Sequence, residues 1–182
     1  MKNCAIVLLS CLLLAAVFSS CSASKEKTAS EIKDKLAAFE KNLLENKKDT
    51  VALHELESKI ESFANKYPDD TITAEFIYQL AGKQWQSGEL NKAIMNYEKL
   101  TSSKINSYAR TSLNDEAVIY LSTLNNVEKA KELFRKYLDL YKGQDAEETK
   151  MVEAELSTAG KTIDEIVKGW EEKKDTTAFK SR

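Results

Sequence analysis

The sequence predicts an all-α protein of antiparallel helical hairpins, stacked as a short α-solenoid of about three hairpins plus a C-terminal helical pair. Three observations lead there. Helix breakers are scarce, with one proline and five glycines in 182 residues, and a proline or glycine inside a helix is strongly disfavoured. Apolar residues recur three and four apart along most of the chain, the spacing that lines one helix face. No segment alternates apolar and polar residues between turn signals as a strand would.

The first stretch is of a different kind. Lys2 precedes an apolar run from Ala5 to Phe18, and the small Ser19 and Ser20 follow. A basic start, an apolar middle and slim residues at the end are the parts of a secretory signal. The run falls short of the ~20 residues a spanning helix needs. Residues 1–20 are therefore expected to be a leader, with an ordinary cleaved signal and an uncleaved anchor as the alternatives. Ser22–Ser30 is small, polar and charged, and is expected to be a flexible tether. Fully extended, it would reach roughly 30 Å.

From residue 31 the period is helical. Ile32, Leu36, Phe39 and Leu43 form the first stripe, with Thr28 and Glu31 spaced as its capping box. Leu53, Leu56, Ile60, Phe63 and Tyr67 form the second, stopped by Pro68 and two aspartates. Phe76, Ile77, Leu80 and Ala81 mark a third helix ending near Ser87-Gly88, and Leu90, Ala93, Ile94, Tyr97 and Leu100 a fourth. The fifth carries Leu113, Ala117, Val118, Tyr120 and Leu121. The sixth carries Val127, Ala130, Phe134, Tyr137 and Tyr141, and stops near Gly143. A weaker seventh runs around Met151 to Leu156. An eighth passes through Ile163, Ile166, Val167 and Trp170, with Thr162 and Glu165 as its capping box. The helical domain is expected over 31–174 and a frayed tail over 175–182.

Three of these helices repeat. Leu56, Ala93 and Ala130 stand 37 residues apart. In the same register stand Leu53, Leu90 and Val127; Ile60, Tyr97 and Phe134; and Phe63, Leu100 and Tyr137. A fixed period in this range signals stacked helical hairpins. One hairpin cannot bury its own apolar face, so neighbours share a core. A plain helical bundle would show the same stripes over any single helix.

Composition excludes several function classes. Removing residues 1–20 from the 182 leaves 162, with 26 basic and 29 acidic side chains. A net charge of −3 without a basic stripe argues against nucleic acid as a partner. Cys4 and Cys11 leave with the leader, so Cys21 alone remains and no internal disulfide can form. His54 is the only histidine, with Ser58 four residues on, and metal sites built from His and Cys are excluded by count. The carboxylate pairs Glu147-Glu148 and Glu171-Glu172 lie among lysines, as on solvated helix faces. Gly82 and Gly88 lack the spacing and the lysine-serine ending of a phosphate loop. No enzyme, metal or cofactor is expected.

Two resemblances carry the functional expectation. Val17-Phe18-Ser19-Ser20-Cys21-Ser22 resembles the lipobox of bacterial lipoproteins. That resemblance implies lipidation of Cys21, cleavage before it, and attachment to a membrane. Ser22 is not the aspartate associated with inner-membrane retention, which implies the outer membrane, facing the periplasm. The repeat resembles tetratricopeptide repeats over about 40–143. The unit Thr73 to Ser103 matches best, with Leu80-Ala81, Gly88 in the turn, Ala93-Ile94 and Tyr97. Gln84 stands where the family has an aromatic, with Trp85 one place later.

Tetratricopeptide arrays receive partner peptides in a groove lined by the first helix of each hairpin. Carried onto this chain, that register gives Glu75, Tyr78, Gly82 and Trp85 in the middle unit and Ser112, Asp115, Ile119 and Ser122 in the third. It gives Ala38, Lys41, Glu45 and Lys48 in the first. The groove is expected to centre on Tyr78, Gly82, Trp85, Asp115, Ile119 and Ser122. Packing of Trp85 on a neighbouring hairpin is the other reading of that residue. The resemblance implies a scaffold that binds an envelope protein or peptide. A narrower expectation is a part in outer-membrane protein assembly. The alternative is a small molecule or glycan held between hairpins.

Overall fold

A computed structural model describes residues 2–45, 49–102 and 108–169, with side chains from residue 23 onward. The described residues are helical, with no strand among them. The helices are α1 (Lys2–Leu44), α2 (Thr50–Lys66), α3 (Thr71–Gln86), α4 (Leu90–Thr101), α5 (Ala109–Val118), α6 (Val127–Tyr141) and α7 (Ala146–Thr158). A π-helical turn, Ile119–Thr123, continues α5, and residues 163–169 are also helical. Short connections join α2 to α3, the π-helical turn to α6, and α6 to α7, and each of these pairs packs together. The fold class is the expected one. The expected 31–174 domain divides into two compact units, Met1–Asn96 and Tyr97–Arg182, with the boundary inside α4.

Most helix starts and stops follow local chemistry. The first N–H groups of a helix have no partner inside it, and a short polar side chain before them supplies one. Asp49 accepts from Ala52 N at 2.9 Å and Asp70 from Ile72 N at 3.0 Å. Asn126 accepts from Lys129 N at 3.1 Å, and Asp145 from both Glu147 N and Glu148 N at 3.0 Å. The Thr162–Glu165 capping box forms in both directions, at 2.8 and 3.3 Å. Gly88 and Gly143, at φ of +85° and +87°, take the left-handed conformation at the turns after α3 and α6.

Two expectations fail at the N-terminal side. No tether covers 22–30: α1 runs through these residues without a break. Thr28 starts no helix, because its hydroxyl already donates to Ser24 O at 2.9 Å within α1. The reason is tertiary. Ala29 and Ile32 are buried, and Lys25 forms an ion pair with Asp70. Ser-Lys-Glu-Lys-Thr-Ala-Ser contains no breaker, so docking extends the helix upstream of its apolar stripe.

In the first unit α1 packs on α2 and α3, and α2 packs on α3. Its core joins Ile32, Leu36 and Phe39 of α1 to Leu53, Leu56, Ile60 and Phe63 of α2. Phe76, Leu80 and Ala81 of α3 complete it, with Ala93 and Ile94 of α4 also buried. Phe63 meets Phe76 edge to face, with centroids 5.4 Å apart. In the second unit α6 packs between α5 and α7. Its core is Leu113, Ala117, Ala130, Leu133, Phe134, Tyr137 and Val152. Arg110 of α5 reaches Glu148 of α7 at 2.9 Å.

The 37-residue register is visible as burial. Leu56, Ala93 and Ala130 are all buried, as are Ile60, Tyr97 and Phe134, and Phe63, Leu100 and Tyr137. The first set of the register is looser, since Leu53 is buried while Leu90 and Val127 are half-buried. Among the described residues, no helix is long and apolar enough to cross a membrane.

Candidate functional site

The candidate surface starts from α3. Its buried face carries Thr73, Ala74, Phe76, Ile77, Leu80, Ala81, Lys83 and Gln84. Glu75, Tyr78, Gly82 and Trp85 are all half-buried. Their spacings of three, four and three put them on one stripe beside that core face. Trp85 is half-buried, and Gln84 fills the core position next to it with no exposed surface. Burying a primary amide requires partners. The Gln84 amide donates to Glu57 Oε1 at 3.2 Å, and its oxygen accepts from Asn96 Nδ2 at 2.8 Å.

The expected residues of the third hairpin lie in the second unit, and they do not all face outward. Ser112 and Ile119 have no exposed surface, Asp115 is half-buried and Ser122 is exposed. Fully buried, Ser112 and Ile119 line no open groove, so the register carried over from the family fails at both residues. The backbone departs from the α-helix at the same place. Leu124 N donates to Ile119 O, five residues back, at 3.0 Å. Ser122 Oγ donates to Val118 O at 2.7 Å, a back-bond that loosens the helical ladder. In the first hairpin Ala38, Lys41 and Glu45 are exposed, and Lys48 lies outside the described residues. So do the side chain of Cys21, the pair Glu171-Glu172, Trp170 and the tail over 175–182.

His54 has neighbours that sequence reading missed. Ser58 lies four residues on from His54, but Glu57, three residues on, shares its helix face. Glu89, from the α3–α4 turn, brings Oε1 to 3.4 Å from His54 Nε2. Ligand atoms of His54, Glu57 and Glu89 all lie within 4.8 Å of one another. Lys92 already occupies this cluster, with its ammonium 2.7 Å from Glu57 and 3.2 Å from Glu89. The Glu57 carboxylate beside Lys92 raises the lysine pKa, and burial opposes it. The cluster thus carries its own cation. Glu57 was legible at helix spacing; Glu89, 35 residues from His54, was not.

A buried ionisable group, Glu116, stands on α5 with 2% of its surface exposed. Burial, reinforced by Glu98, pushes its carboxyl up to about 7, while Lys129 and Lys136 oppose the shift. Ser112 Oγ, one helical turn earlier, is buried with no hydrogen-bond partner among the described residues.

Compared with protein-family models, curated proteins and solved structures, the chain has no match.

Proposed function

We propose that the chain is a membrane-anchored bacterial lipoprotein whose tetratricopeptide-like hairpins act as a protein-binding scaffold in the cell envelope, on the periplasmic side of the outer membrane. Lipidation of Cys21 is its address, and the lipobox-like Val17-to-Ser22 segment supports that part. The observation that carries the scaffold part is the α3 stripe. Tyr78 and Trp85 stand two helical turns apart, both half-buried, with Gly82 between them. Aromatic side chains that keep an exposed edge are strong anchors for a protein partner, and a glycine lets a partner backbone approach closely. The third hairpin contributes less, because Ile119 is core.

Exchange of Tyr78 and Trp85 for alanine, followed by crosslinking in intact cells, tests the scaffold. The envelope protein crosslinked to the unaltered chain is expected to be lost from the folded double variant. An unchanged set of crosslinked proteins would rule out the stripe as the binding surface.

A further inference from the structure

We propose that the α2–α3 turn, residues 66–70, is a membrane-facing surface that stands at the lipid headgroups with no free tether between it and the anchor. This rests on the lipidation of Cys21 proposed above. The argument is one of reach. Lys25 is held by Asp70, and its ammonium lies 5.7 Å from the centroid of the Tyr67 ring. Asp70 is doubly committed: Lys25 and the Ile72 N–H both keep its carboxyl below the usual carboxylate range. Ala29 and Ile32 then fix α1 into the core.

Lys25 stands only four residue steps after Cys21. As helix they span about 6 Å, and fully extended about 14 Å. The polar layer on each side of a bilayer is about 5–7 Å thick. A lipid on Cys21 therefore holds this end of the unit within about two headgroup layers, whether or not the first turn frays. The nine-residue tether expected from sequence would have allowed roughly 30 Å.

The chemistry of the turn suits a lipid surface. Tyr67 is half-buried, with its ring against Phe63 and its hydroxyl buried, so only part of the ring reaches the surface. Lys66 brings a second ammonium to 5.4 Å from that ring, and Lys27 is exposed on α1. Lysines near an anionic surface are attracted to it, and the exposed Asp69 and Glu26 beside them reduce that attraction. Pairing with Lys25 offsets the charge of Asp70.

Depth measurement tests the inference. Cys21 is the only cysteine of the mature chain, and lipid consumes its thiol, so one introduced cysteine is uniquely reactive. Asp69 and Gln86 are exposed at opposite ends of α3, which spans about 24 Å. D69C and Q86C are labelled with a fluorophore in the full lipidated protein. The protein is then placed in vesicles of phosphatidylethanolamine and phosphatidylglycerol that carry a headgroup spin label. Quenching is expected to be several-fold stronger at 69 than at 86. Equal quenching on protein whose mass shows the lipid overturns the surface and leaves the anchor standing. A mass without lipid overturns the anchor and the surface with it. If D69C fails to fold, the adjacent exposed Pro68 takes the label as P68C.

Discussion

Glu116 is a carboxyl enclosed by helices. Its surroundings are Glu98 from α4, Tyr120 from the π-helical turn, and Lys129, Glu132 and Lys136 from α6. Burial is the larger influence, so the group holds its proton to about pH 7 in the folded chain. In the unfolded chain it ionises near the ordinary glutamate value of about 4.3. Between these two values the folded state holds the extra proton, so stability falls as pH rises through that window and stays lowered above about 7. The loss is about 3 kcal/mol by order of magnitude. E116Q removes the titration. Its stability relative to the parent chain, followed by urea unfolding, is expected to rise from pH 4.5 to pH 8. A difference independent of pH would show that Glu116 is ionised in the fold. Gln84 teaches a related lesson. A polar residue at a core position was visible in the repeat, but not the bonds to Glu57 and Asn96 that make it tolerable.

Element boundaries show which signals act locally. The Thr162–Glu165 spacing yields a capping box and the Thr28–Glu31 spacing does not. The two patterns are alike on paper. A box satisfies orphan N–H groups, and Thr28 sits inside a helix where none are orphaned. Gly143 and Gly160 differ in a way that only packing reveals. Both have positive φ, at +87° and +76°, a conformation unfavourable to any side chain. A Cβ on Gly143 would meet nothing within 4 Å, whereas one on Gly160 would lie 2.9 Å from Val127 Cγ1. G143A is expected to cost about 1 kcal/mol, from backbone strain alone. G160A is expected to cost more, since Val127 must also move. Thermal unfolding of the two variants side by side checks the order, and an equal loss would mean Val127 yields freely. The π-helical turn had no sequence signal, because it ends the helix and no later turn follows in which a shifted apolar pattern could show.

For the molecule as a whole, anchor and fold are separable by prediction. C21S removes the proposed site of lipid attachment. The variant is expected in the soluble fraction with the helical circular dichroism of the parent. Retention in membranes would count against the lipoprotein reading. The sequence by itself determined the all-α class, most helix boundaries and the buried 37-residue register. These follow from breaker placement, caps and apolar spacing, which act within a few residues. Only the tertiary structure decided that α1 extends through the expected tether, because the Lys25–Asp70 pair and the burial of Ala29 join residues far apart in the chain. It alone placed Ile119 inside, Trp85 at the edge of the core, and Glu89 and Lys92 around His54. Spacing along a helix says which residues share a face; what covers that face depends on another helix.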